Sequence, residues 1–215
     1  GRNRKAVSTE RYGSVLKDIR LIGNGDVYLA VRLDYQLEGT RLYQVFLKIY
    51  KDLPKMDVAV RIHKTSVWEP ENLYVSLPFT AGKNEVQWID KTGCIIRPGI
   101  DQLPGSNGEF YLLQNGIVIE GEGKDVILSL KDAPLVTFGD LRAHPIRLCT
   151  GKDETLNRSI PYSWVMNNFW ETNFKADLGG FYQFSYSVSV TDKLPVREAF
   201  LVCEAQNEGI LSLDV

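Results

Sequence analysis

The sequence has little of what a reacting centre uses. It holds two histidines, His63 and His144, and three cysteines, Cys94, Cys149 and Cys203. No pair of cysteines has CxxC spacing, which speaks against a zinc ribbon and against a disulfide framework. One disulfide with a free thiol stays open; three buried, inert thiols are the expectation. HExxH, GxSxG, GxGxxG and Walker loops are all missing. No apolar run reaches the roughly 18 residues that a membrane span requires, and no secretory signal is visible. Basic residues do not continue past Arg2-Asn3-Arg4-Lys5, and a net charge of -2 with a pI near 5.8 argues against a nucleic-acid surface. Gly1 stands where an initiator Met would, as expected of a piece of a longer protein.

What is present is pattern with period two. The hydrophobic share is 44% of 215 residues, enough for a full core. Val15 to Ile22 alternates imperfectly. Val27 to Tyr35 places Val27, Leu29, Val31, Leu33 and Tyr35 on one face. Leu42 to Tyr50 and Met56 to Lys64 follow, separated by Gly and Pro turns, and the run reads as an antiparallel meander. Shorter strands are expected at 73–79, 85–90, 110–113, 117–120, 126–130 and 135–138, then at 180–190, 199–205 and 210–215. No amphipathic helix of ten or more residues is expected. About a dozen strands imply two large packed antiparallel sheets, an all-β sandwich. No low-complexity linker divides the chain, so residues 1–14 read as an edge or linker and 15–215 as one domain.

Two segments stand out as candidate surfaces. Trp164 to Phe174 holds two Trp, two Phe, three Asn and one Met, with neither a clean period of 2 nor of 3.6. Rings stack on sugar C–H faces or on a partner, and amides pair with hydroxyls or backbone. This nominates Trp164, Asn167, Asn168, Trp170 and Asn173. The plainer reading, favoured on this segment alone, is an irregular core strand whose Asn side chains satisfy loop backbone. The second segment is the long loop from Gly93 to Gly108, which carries Arg97, Asp101 and Gln102. Loops of that length are usually functional or packed lids; the alternative is an Arg97–Asp101 pair that only fixes the loop. The other long connection, 144–161, is expected to be solvated at its polar tip. His63 reads as a surface histidine, and no catalytic or metal-binding residue is nominated.

Four fragments in order carry a resemblance. They are Trp68-Glu69-Pro70-Glu71-Asn72-Leu73-Tyr74-Val75-Ser76-Leu77-Pro78-Phe79, Arg97-Pro98 with Asp101-Gln102-Leu103-Pro104-Gly105-Ser106, Pro134-Leu135-Val136-Thr137-Phe138-Gly139-Asp140, and Asn167-Asn168-Phe169-Trp170-Glu171-Thr172-Asn173. Together they resemble the C-terminal β domain of glycoside hydrolase family 38, the α-mannosidases, over residues 15–205. The resemblance implies a supersandwich similar to that of galactose mutarotase. It implies no catalytic residue here, because the family's aspartate nucleophile and zinc ligands lie in a barrel and a helical region that this chain lacks. The expectation is therefore a non-catalytic domain with no cofactor of its own, zinc belonging only to the missing catalytic domain. Its expected partner is that domain, with carbohydrate as a second candidate and neither nucleic acid nor membrane. The alternative reading is a stand-alone carbohydrate-binding module.

Overall fold

Alternating apolar residues form strands where one face can be buried, and the first four strands follow that rule. The computed structural model describes residues 9–141, 146–168 and 177–209. Strands β1 (Val15–Asn24), β2 (Tyr28–Gln36), β3 (Thr40–Tyr50) and β4 (Lys55–Lys64) run antiparallel, each paired with the next. Gly39 makes the β2–β3 turn possible. Its φ is +76°, and a Cβ there would lie 3.3 Å from Lys64 Nζ.

The remaining strands are β5 (Asn72–Ser76), β6 (Val86–Lys91), β7 (Cys94–Ile96), β8 (Tyr111–Leu112), β9 (Gly116–Glu120), β10 (Lys124–Leu130), β11 (Leu135–Phe138), β12 (Pro161–Asn167) and β13 (Gly180–Asp192). They build a nine-stranded sheet in the order β1-β2-β3-β4-β13-β10-β9-β6-β7 and a four-stranded sheet in the order β5-β12-β11-β8. The architecture is all-β and antiparallel, as the alternation predicted.

The sheets meet across one apolar layer. The large sheet supplies Val60, Ile62, Tyr186, Val188, Leu128 and Ile117, and the small sheet supplies Val75, Tyr111, Val136 and Phe138. Chain approach is closest at Gly116, where a Cβ would sit 2.0 Å from the Leu128 carbonyl oxygen; only hydrogen fits between β9 and β10 there.

Three expectations need correction. The run Ala199 to Ala205 is not a strand. It lies within helix α2 (Val196–Glu208), which packs Ala199, Phe200 and Cys203 on Val118 and Ile127, on the large sheet's other face. Val196, Ala199, Phe200 and Cys203 fall at i, i+3, i+4 and i+7. Pro195 caps the start and Gly209, at φ +72°, caps the end. The expected strand 210–215 lies outside the described residues. The second correction concerns the 144–161 connection. Its tip is solvated, but a short helix α1 (Glu154–Asn157), capped by the Asp153 side chain, turns Leu156 into the core. The Asn157 amide also donates to the Gln87 carbonyl at 2.8 Å and accepts from the Gln87 N–H at 3.2 Å.

Thirdly, the thiols are free but not all buried. Cys149 and Cys203 are buried and Cys94 is exposed. Burial pushes the Cys203 thiol up to about 12, which suppresses the reactive thiolate. In native titration with a thiol reagent, one group should react at the rate of a free thiol and two should lag. After denaturation, three should be found. Uniform native reactivity, or fewer than three groups after denaturation, would contradict the assignment.

Candidate functional site

Trp164 lies on β12, and register decides which way it points. Ser163 pairs with Val136 and Val75, and Val136 pairs with Tyr111; all four are buried between the sheets. Side chains alternate along a strand, so Trp164, its partner Tyr74, Leu112 and Leu135 occupy the small sheet's outer face. Trp164 stacks on Tyr74 with centroids 5.4 Å apart and meets Phe110 edge-on at 5.9 Å. Its indole N–H donates to Asn72 Oδ1 at 3.2 Å and to the Met166 carbonyl at 3.1 Å. Burial, with the nearby Glu109 carboxylate, pushes the Tyr74 hydroxyl up to about 12. The three rings form a half-buried ridge, flanked by exposed Leu112.

The amides of the same segment do other work. Asn168 is buried. Its amide N–H groups donate to the Val67 and Glu69 carbonyls at 3.3 and 3.1 Å, and its oxygen accepts the Glu71 N–H at 2.7 Å. It bolts the 67–71 loop to the end of β12. Asn167 pairs in register with Asn72. Trp170 and Asn173 lie outside the described residues, as does His144.

The Arg97 loop is also self-contained. Arg97 grips Asp101 with Nε and Nη2 at 2.9 and 2.7 Å, and its backbone N–H meets the same carboxylate at 2.9 Å. Those Arg97 contacts hold the Asp101 carboxyl below its ordinary value. The guanidinium lies 5.3 Å over the Trp88 ring. Gln102 Oε1 accepts from the Gly99 N–H at 3.1 Å and the Tyr111 hydroxyl at 2.8 Å. Each group is spent within the loop or on the strand beneath it. The neighbours of Arg97 are Trp88 and Asp101; those of Trp164 are Tyr74, Phe110 and Asn72. The loop and the ridge are joined through β8, since Gln102 holds the Tyr111 hydroxyl and the preceding residue, Phe110, meets Trp164. His63 stacks on Phe181 at 4.0 Å. Among the described residues no cluster of three His, Cys, Asp or Glu could hold a metal ion, and no helix is long and apolar enough to cross a membrane.

A third surface was not anticipated. Two apolar rows run across the large sheet: Ile19, Leu33, Val45, Val60 and Phe184, and Leu21, Val31, Leu47, Val58 and Tyr186. The inter-sheet core reaches them only as far as Val45 and Val58. Beyond that line the same face continues outside the inter-sheet core, with Val31, Leu33 and Leu47 half-buried and Ile19 and Leu21 60% and 62% exposed. Scattered exposed apolar residues are ordinary, but contiguous rows on the core face of a sheet mark a contact surface. The signal in the sequence was β1 itself, where Val15, Leu16, Ile19, Leu21 and Ile22 crowd an edge strand.

No protein-family model matches the chain, so the likeness to glycoside hydrolase family 38 rests on the four fragments alone. No curated protein matches it either. Among solved structures, twelve chains match. One is described as a putative aldose 1-epimerase from Escherichia coli K12; it is 12% identical, over 82% of this chain and 69% of that one, with a TM-score of 0.42. At that identity no residue's role carries across.

Proposed function

We propose that this chain is a non-catalytic β domain of the galactose-mutarotase-like supersandwich type, belonging to a parent glycoside hydrolase similar to family 38. In that parent it braces the catalytic domain. The observation that supports this is the uncovered apolar face of β1, β2 and β3. A sheet that buries one half of an apolar face and leaves the other half in water has lost, or awaits, a partner. Ile19 and Leu21 lie where a second domain would close the layer. Under this reading the nucleophile and the zinc belong to that other domain, and the Arg97–Asp101 pair and Gln102 keep a long loop in shape. A second reading, a self-sufficient carbohydrate-binding module, is favoured by the Trp164–Tyr74–Phe110 ridge, whose rings present apolar faces beside Asn72.

The two readings separate on one experiment. Ile19→Asp with Leu21→Asp should change the stability of the isolated chain by no more than about 0.5 kcal/mol, because both side chains are already in water. In the parent chain the same pair should loosen the contact with the catalytic domain and lower activity several-fold. Unchanged parent activity together with glycan binding by the isolated chain would favour the module. A loss above about 2 kcal/mol in the isolated chain would show that the face is core.

A further inference from the structure

The opposite, outer face of the large sheet carries a groove of ≈ 540 Å³ that ends at Gln206 of α2. That volume lies in the range of small-molecule sites. One wall is built from a single cross-strand row. Lys48, Asp57 and Ser187 are register partners on β3, β4 and β13. Asp57 Oδ1 accepts from the Ser187 hydroxyl at 2.6 Å and pairs with Lys55 Nζ at 3.1 Å; Oδ2 accepts from the Tyr50 hydroxyl at 2.8 Å. Burial pushes the Asp57 carboxyl up, but the Ser187 and Tyr50 hydroxyls and the Lys55 ammonium outweigh it and hold the group below its ordinary value. Asp57 is therefore an anion whose acceptor capacity is largely used.

Lys48 interacts with the Tyr50 hydroxyl and feels the Asp57 charge, which hold its ammonium above the ordinary value. Its ammonium lies 4.4 Å over the Tyr28 ring and 5.1 Å from the Tyr50 centroid, and Lys55 lies 5.1 Å from that same centroid. Two ammonium groups thus crowd one ring, and among the described residues the carboxylate beside them, Asp57, pairs with Lys55. No ion pair to Lys48 is found among the described residues. At the other end of the groove, Asp132 accepts the Ser185 N–H at 2.7 Å, beside Lys131. Three lysines, Lys48, Lys55 and Lys131, face two aspartates, Asp57 and Asp132, which leaves an excess of one positive charge. Tyr28 and Phe46 add apolar wall, and Ser185, Ser187 and Asp132 add hydroxyl-matching groups.

We propose that this groove binds a sugar bearing one acidic group, with the acid seated at Lys48 and the hydroxyls toward Ser187 and Asp132. The excess charge selects one anion, and the volume and mixed lining suit a ring of polyol rather than a bare ion. The site does not depend on the domain-bracing role, because it lies on the other face of the sheet.

The test is an amide NMR titration of the chain with D-glucuronate, glucose 6-phosphate, glucose and inorganic phosphate. Both acidic sugars should shift the amides of Tyr28, Lys48 and Ser187 and saturate at millimolar concentration. Glucose should bind at least about tenfold more weakly, the loss expected for one charge-assisted hydrogen bond. Lys48→Met should weaken the acidic sugars about tenfold without moving the thermal midpoint, and Lys48→Glu should weaken them further. Saturation by glucuronate but not by the phosphate would define a carboxylate site and support the proposal. Glucose binding as tightly as glucuronate, inorganic phosphate binding as tightly as glucose 6-phosphate, indifference to Lys48→Met, or shifts confined to other surfaces would each overturn it.

Discussion

Phe138→Ala is expected to lower the unfolding free energy by about 3–5 kcal/mol. Phe138 is fully buried on β11, an inner strand of the small sheet. Its ring meets Tyr111 edge-on, with centroids 5.6 Å apart and planes at 80°. Removing the ring takes away its transfer energy and leaves a void that its neighbours cannot close. Tyr111 is the nearest candidate to swing in, but its hydroxyl is held by Gln102 Oε1 at 2.8 Å. The backbone cannot collapse either, because the Phe138 carbonyl accepts from Arg147 Nη1 at 2.6 Å and β11 is paired on both sides. Phe138→Leu, which keeps most of the volume, should cost less than about 1.5 kcal/mol. In urea unfolding both variants should lower the midpoint with little change in slope. If Phe138→Ala costs no more than Phe138→Leu, the small sheet does not pack on the large one as described. Against a total stability of about 5–15 kcal/mol, the alanine variant stands near the limit of folding.

The meander was legible in the sequence for a simple reason. Met56 to Lys64 sits on a strand whose apolar face is buried at Val60 and Ile62, so burial and period two coincide there, while Val27 to Tyr35 keeps the period although its face lies beyond the inter-sheet core. Helix α2 was not legible because its apolar positions satisfy both periods. Ala199, Leu201, Cys203 and Ala205 alternate, while Val196, Ala199, Phe200 and Cys203 follow a helical stripe. Exposed Leu201 and Ala205 distinguish them, and exposure is a tertiary fact. Pro195 and Gly209, the start and stop signals, were the better guide.

The candidate site divides along the same line. The Arg97–Asp101 pair is local, i to i+4, so its chemistry and its spacing were both in view. Asn168 could be nominated as a polar group beside aromatics, but its partners Val67 and Glu69 lie 101 and 99 residues away. No local pattern reveals that its amide is already committed. The uncovered face of β1 to β3 was hidden differently. Its residues look like core, and they are core in pattern. What leaves them in water is that the apolar layer under the small sheet ends at Val45 and Val58. The groove at Lys48 depends on three cross-strand neighbours drawn from β3, β4 and β13, which only the sheet order brings together.

Asp125→Ala is expected to cost about 1–3 kcal/mol, the second large effect. Asp125 is the second residue of β10 and has only 1% of its surface exposed. Its Oδ1 accepts from Lys193 Nζ at 3.1 Å and from the Gly121 N–H at 3.4 Å, and its Oδ2 accepts from the Leu194 N–H at 3.0 Å. One carboxylate therefore ties the β9–β10 turn to the connection that launches α2. Truncation does not strand the lysine, because Lys193 keeps Glu120 Oε1 at 2.8 Å and the Gly121 carbonyl at 2.8 Å and is partly in water. The cost falls mainly on the Leu194 amide, since an N–H left without an acceptor costs about 1–3 kcal/mol, whereas the Gly121 N–H keeps the Lys124 carbonyl at 3.1 Å. Asp125→Asn keeps one acceptor but turns an NH2 toward a donor, so it should recover only part of the loss. Lys193→Ala should be milder than Asp125→Ala, because the carboxylate keeps both amides. The double variant should be less destabilised than the sum of the two singles, since the pair shares one network. Hydrogen exchange should localise the damage, with amides of β9 and β10 beneath α2 losing protection before those of β3 and β4. A cost below about 0.5 kcal/mol, the level of an ordinary surface change, would mean that α2 is held by its packing on Val118 and Ile127 and by its Gln206 and Asn207 hydrogen bonds, and that Asp125 is not its anchor.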